Sequence, residues 1–213
     1  MKSILLALLL FVNSSCAPVT KSAVPTKPVS VHEVVEKSVV RVTANVIGTI
    51  NEMSVCTGFS IGTQRYLTAA HCVKDLYMED GIPFQLTMRV NGHVASAVTV
   101  DDELDLAVLV SDLNKPALQL RADGLERFEP VYAMGYGHGF TEPLVTEHHA
   151  LLFGYLLRPD IWPGTVYMNP FIGGMSGGPV YDKDGKVVGI VQRASTYVGY
   201  SVSLETIKGF LGV

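Results

Sequence analysis

SVVRVTANVIGTINEMSVCTGFSIGTQRYLTAAHC, residues 38–72, reads as three short extended runs, 38–48, 57–62 and 65–70, each rich in β-branched or aromatic side chains and each closed by turn formers. The same punctuation continues outward in FQLTMRVNG (84–92), HVASAVTV (93–100) and LAVLV (106–110). It resumes in VYAMGYG (131–137), HALLFGYLL (149–157), TVYMN (165–169), GPVYD (178–182), KVVGIVQRA (186–194) and YVGYSVS (197–203). None of these runs has the 3.6-residue apolar spacing of a long amphipathic helix. The segment 114–128, rich in charge and turn formers, divides the runs into two similar groups. The expectation is an all-β protein of two six-stranded antiparallel units, about 38–113 and about 128–203, built as barrels or sandwiches. After them, SLETIKGFLGV offers Ser203 as N-cap, Glu205 in the first turn, Lys208 near the end, and Leu204, Ile207 and Leu211 on one face. A short C-terminal helix over about 204–211 follows.

The 213 residues are 48% hydrophobic and 17% charged, enough apolar material for a real core and too much for disorder over most of the chain. A net charge of −4 without clustered Lys and Arg gives no footing for nucleic acid. Lys2 followed by the apolar run 4–12 reads as an export signal, since the run is too short to span a bilayer. Ser14 and Ser15 before Cys16 resemble a lipoprotein cleavage site, which would put a lipid on Cys16 and attach the protein to a membrane. Asn13 departs from the usual aliphatic residue there, and a plain secreted form is the alternative, although Pro18 disfavours ordinary cleavage after Ala17. Residues 1–16 are thus the signal and 17–37 a Pro-rich tether, too poor in large side chains to fold by itself.

Three candidates carry chemistry. Ser176 sits in GGMSGGP (173–179), where small residues let the backbone turn sharply and bring the amides of Gly174 and Ser176 to a substrate carbonyl; alone, such a serine is usually just a turn. His71 follows a strand-like run in LTAAHC (67–72), which places an imidazole at a sheet edge. Asp105 in LDLAVL (104–109) lies between apolar neighbours, where burial of a carboxylate requires donors such as an imidazole. Its competitors Asp101, Asp102 and Glu103 read as a solvated turn.

TAAHC, DLAVL and GMSGGP, in that order, resemble the three signatures of the chymotrypsin-like serine proteases. The order His, Asp, Ser excludes the α/β-hydrolase arrangement. The likeness extends over about 38–211, and its closing segment is nearer the bacterial HtrA-type branch than the digestive enzymes. It implies two six-stranded chymotrypsin-like barrels and a serine endopeptidase acting on protein or peptide substrates, without a cofactor or metal. His71 would be base, Asp105 its orienting acid, Ser176 the nucleophile, and Gly174 and Ser176 the oxyanion hole. It also implies a Cys56–Cys72 disulfide, leaving Cys16 for the lipid or for removal with the signal. Cys72 as a thiol nucleophile is disfavoured, because that bond would consume it.

Departures matter as much. Met175 stands where zymogen-type members carry an aspartate, and no Ile-Val-Gly-Gly start exists, so activity without proteolytic activation is expected. The appended peptide-binding module of HtrA-type proteins is also not expected, since the chain ends at Val213. By resemblance, Pro170 lies near the base of the primary pocket, with Gln192, Arg193, Ala194 and Gly199 on its walls. With no acid there, a small or apolar residue before the scissile bond is expected, Arg193 leaving an acidic one open. Two other classes stay open: a turnover-deficient protease-fold binding protein, and an esterase using the same triad. His148 and His149 beside Glu147 are expected in an exposed loop and not at a metal. His32, His93 and His138 carry no argued chemistry, residues 162–164 read as a loop, and the methionines as scattered packing.

Overall fold

The computed structural model describes residues 29–46, 52–74, 86–151 and 164–213. Twelve strands form two closed barrels. The first contains β1 (Val39–Val46), β2 (Glu52–Gly62), β3 (Arg65–Thr68), β4 (Leu86–Val90), β5 (His93–Asp101) and β6 (Leu106–Ser111), ordered β1-β2-β3-β6-β5-β4. The second contains β7 (Pro130–Gly135), β8 (Leu144–Ala150), β9 (Thr165–Met168), β10 (Pro179–Tyr181), β11 (Val187–Ala194) and β12 (Val198–Ser203), ordered β10-β11-β12-β9-β8-β7. All strand pairs are antiparallel, and closure removes the unpaired edges that an open sheet would present. The expected fold class is the observed one.

The barrels are held together by apolar packing. One buried cluster takes Val39, Phe59, Leu67, Leu106 and Val108 from the first barrel and Met134, Tyr181, Val187, Ile190 and Val202 from the second. At about 1.5–3 kcal/mol for each large side chain withdrawn from water, this shared core fixes one barrel against the other and so fixes the groove between them. Helix α2 (Leu204–Leu211) closes the second barrel, with Ser203 capping Thr206 N–H, Leu204 and Ile207 buried, and Gly212 ending it in a left-handed conformation (φ 72°). The linker is fastened by Arg121, whose guanidinium bonds Glu129 and Asp123 and faces Asp182.

Three elements differ from the sequence expectation. The tether ends earlier than residue 37: α1 (Val31–Glu36) is a helix with a reciprocal capping box between Ser30 and Glu33. It is held because Val35 is fully buried and His32 packs on Tyr132 (ring centroids 4.7 Å) while bonding the Tyr181 hydroxyl (2.8 Å). His148 and His149 are not in an exposed loop but in β8, paired with β7, and His148 is only 1% exposed. Polar residues disguise that strand, and the pairing register turns His148 inward. The extended run placed at 149–157 therefore begins earlier, at Leu144; its residues 152–157, like the signal, Cys16, most of the tether, Trp162 and Pro163, lie outside the described residues.

Candidate active site

His71 lies in the 3-10 turn Ala70–Cys72, directly after β3. Asp105 ends the β5–β6 turn in a left-handed conformation (φ 55°), which costs backbone strain for a residue with a Cβ. Asp101 stabilises that turn by accepting the Leu104 N–H (2.9 Å), while Asp102 and Glu103 are exposed, and Asp102 pairs with Lys74 (3.0 Å). The carboxylate of Asp105 accepts from the His71 backbone N–H (2.9 Å) and from Nδ1 (2.9 and 3.0 Å to its two oxygens). With the proton held on Nδ1, the lone pair of the neutral imidazole is on Nε2, the tautomer a general base needs. Burial alone pushes Asp105 upward. The bonds and charge of His71 and the side-chain amide of Gln192 outweigh it, leaving the carboxyl below its ordinary value and ionised at neutral pH.

Ser176 is half-buried, and its hydroxyl donates to the Gln192 carbonyl (3.2 Å). Around it the carbonyls are spent. Gly173 O accepts from His138 N–H (2.6 Å), Gly174 O from Thr57 Oγ1 (2.8 Å), Met175 O from Gly178 N–H (2.8 Å) and Ser176 O from Thr57 N–H (2.8 Å). Among the described residues no hydrogen bond engages the N–H of Gly174 or of Ser176. Gly174 reaches this arrangement at φ 95°, a region closed to residues with a Cβ, and a Cβ there would run into the Tyr136 carbonyl. Two unspent donors beside a hydroxyl are what an oxyanion hole requires.

His71, Asp105, Ser176, Gln192 and Arg193 line one cleft of about 480 Å³ with Lys74, Asp102 and Glu103. Cys56 and Cys72 form a disulfide beneath it. Their sulfurs and a His71 nitrogen lie within 4.8 Å of one another, but both sulfurs are consumed by that bond.

Arg193 and Ala194 are exposed on β11, with the Arg193 guanidinium 5.3 Å from the Tyr200 ring centroid. Gln192 is largely buried, and its side-chain amide interacts with the Asp105 carboxylate at the cleft. Pro170 is exposed, and its neighbour Phe171 is buried with its ring against Gly199. Thr57 and Phe171 are the residues that sequence reasoning passed over. Thr57 looks like an ordinary strand residue, and the only trace of Phe171 is an aromatic five positions before the serine.

Residues 56–190 match the trypsin-like peptidase domain, and the chain belongs to that family of proteases. Among solved structures it is similar to the Rv3671c protease of M. tuberculosis. The active form is 24% identical with a TM-score of 0.67, over 85% of this chain and 82% of that one. The inactive form is also 24% identical, with a TM-score of 0.66, over 85% and 91%. An inactive mutant of the same protease with alanine in place of a serine is 26% identical, with a TM-score of 0.66, over 85% and 88%. No curated protein matches the sequence. Among the described residues no helix is long and apolar enough to cross a membrane.

Proposed function

We propose that this protein is an exported serine endopeptidase that cuts peptide bonds through an acyl-enzyme. The observation that carries the reading is the pairing, in one cleft, of an imidazole with Nδ1 bonded to Asp105 and a serine flanked by two unengaged N–H groups. Rotation about χ1 moves the Ser176 hydroxyl from the Gln192 carbonyl to His71 Nε2, which takes its proton as Oγ attacks the scissile carbonyl carbon. The Gly174 and Ser176 N–H groups hold the oxyanion while Asp105 stabilises the imidazolium. His71 then delivers the proton to the departing amine, leaving an ester on Ser176 that water, deprotonated by the same nitrogen, hydrolyses.

Met175 is fully buried in the apolar cluster of the second barrel, so the position offers no carboxylate for a newly cut N-terminus to pair with. The protease is therefore active without trimming, and an intact protein that stays inert until cut would contradict this. A disulfide beside the catalytic histidine suits an oxidising compartment, and lipid on Cys16 would tether the enzyme at a membrane surface.

The test is labelling of the purified full chain with a fluorophosphonate probe, comparing wild type with Ser176→Ala and locating the adduct by mass spectrometry. Labelling at Ser176, absent in the variant, is the expected result. A folded, disulfide-bonded protein that takes no label would refute turnover and leave a protease-fold binding protein.

A further inference from the structure

Arg41, Thr43 and Asn45 alternate along β1 with Val40, Val42 and Ala44, so the apolar set faces the core of the first barrel and the polar set faces outward. Antiparallel pairing with β4 sets Arg89 directly opposite Thr43, on that same outer face. A polar outer face is ordinarily left to water. Here the segment after β7 of the second barrel closes over it, and Tyr136 and Thr141 complete with those four residues the walls of a cavity of about 370 Å³ between the barrels. Thr43 is only 4% exposed and Tyr136 only 7%, so the cavity is built into the junction.

Its chemistry is that of an anion site. Among the described residues no carboxylate lines it, and the one hydrogen bond of the Arg89 guanidinium goes to the Gly92 carbonyl (2.8 Å). Arg41 lines the same cavity. Among the described residues no hydrogen bond engages the hydroxyls of Thr43, Tyr136 or Thr141. Burial raises the Tyr136 hydroxyl above its ordinary value, with Glu142 and Glu36 adding to the rise and Arg41 opposing it, so the group stays protonated and able to donate. Asn45 holds its Oδ1 buried with no hydrogen-bond partner among the described residues, an acceptor that a hydroxyl on an occupant would satisfy. A carboxylate brings two oxygens in one plane and is saturated by a single guanidinium fork. A phosphate monoester brings three strong acceptor oxygens and nearly two charges, which suits a guanidinium supported by several hydroxyls.

We propose that this cavity binds a phosphate monoester, held by Arg89 with Arg41 beside it, and that the bound group is an effector of the active site. The binding stands by itself; the effector role rests on the protease reading above. The segment that walls the cavity from the second barrel also carries the loop before Ser176. His138 N–H donates to the Gly173 carbonyl (2.6 Å), and Tyr136 N–H donates to Thr57 Oγ1 (2.9 Å), which in turn donates to the Gly174 carbonyl (2.8 Å). A phosphate that bridges Arg89 on one barrel to Tyr136 and Thr141 on the other pins this segment in the arrangement that presents the Gly174 N–H, so occupancy raises turnover.

The experiment titrates the full-length protein with glycerol 3-phosphate, inorganic phosphate and succinate in a calorimeter at fixed ionic strength and about pH 7.5, where the phosphates are dianions. Glycerol 3-phosphate is expected to bind with a Kd of about 1 mM or tighter, and succinate at least about tenfold more weakly. Arg89→Gln should weaken the phosphate by about tenfold or more, and Arg89→Lys, which keeps the charge should the glutamine variant not fold, by less. Arg65→Gln, an exposed arginine on β3 outside the cavity, should change nothing. Vesicles carrying phosphatidic acid distinguish the source: binding tighter than that of the free ester assigns a lipid headgroup, and weaker binding a soluble ester. Saturating glycerol 3-phosphate should raise kcat/KM for one peptide substrate by about fivefold or more in wild type and leave Arg89→Gln unmoved. No binding of any phosphate, binding that survives Arg89→Gln, or succinate bound as tightly would overturn the site. Binding that leaves kcat/KM unchanged in an enzyme labelled at Ser176 would overturn the effector role alone. A Ser176 that takes no fluorophosphonate refutes the protease reading and the effector role with it, while the calorimetry decides the site by itself.

Discussion

Replacing Thr57 by valine keeps the shape of the side chain and removes one oxygen at the junction of the two barrels. Thr57 is fully buried in β2. Its Oγ1 donates to the Gly174 carbonyl (2.8 Å) and accepts the Tyr136 N–H (2.9 Å), while its backbone N–H holds the Ser176 carbonyl (2.8 Å). Valine would leave a buried N–H and a partly buried carbonyl unsatisfied at about 1–3 kcal/mol each, so a loss of about 2–6 kcal/mol is expected. For a chain of this size that corresponds to a fall in Tm of roughly 4–24 °C. The catalytic effect is separable. Freed from Thr57, the peptide after Gly174 can rotate and the loop that presents the Gly174 N–H loses its definition. Losing one oxyanion donor costs about 100-fold in kcat. Steady-state hydrolysis of one alanyl substrate, measured well below the melting transition, should show that fall with KM little changed, and Thr57→Ser should restore most of it. A folded Thr57→Val protein whose kcat stays within about threefold of wild type would refute the idea that this hydroxyl holds the oxyanion loop.

Burial lowers the pKa of His148, against the weaker opposing pull of the Met168 and Asn169 carbonyls and Glu147, with His149 adding to the depression. The unfolded chain therefore takes up the proton first, near pH 6.5, so this contribution to stability is complete above that pH and declines as pH falls through it toward the depressed folded value. Urea midpoints at pH 7.5 and 5.5 should drop toward acid in wild type and drop less in His148→Leu; equal slopes would contradict the assignment. The Cys56–Cys72 bond closes a loop of sixteen residues' separation, so the double variant Cys56→Ser with Cys72→Ser should lose about 3 kcal/mol of unfolding free energy. An unchanged urea midpoint would show that the linkage adds nothing to the folded barrel.

Much of this protein is local in character and legible along the chain. Runs such as VVRVTANV and VVGIVQRA are extended because β-branched side chains fit a pleated surface, and the turn residues between them set the strand count. Ser203, Leu204 and Ile207 define the last helix through capping and spacing alone. His71, Asp105 and Ser176 were recognisable because each sits in a short motif whose neighbours are constrained by the same chemistry. The strand around His148 was not legible, since Thr-Glu-His-His carries no alternating apolar signal and β7 supplies the partner that makes it extended and buried. Helix α1 lay hidden in a polar stretch because its stability comes from Val35 and His32 meeting the second barrel.

By itself, then, the sequence determined the strand content, the division into two units and which His, Asp and Ser stand as candidates for the site, all of which depend on propensity and on residues adjacent in the chain. Tertiary structure alone decided what surrounds those groups. That Thr57 reaches across 117 positions to Gly174 and that Phe171 meets Gly199 are outcomes of barrel closure and register. Contacts between residues far apart in sequence are set by how two closed sheets pack, and no local pattern encodes them.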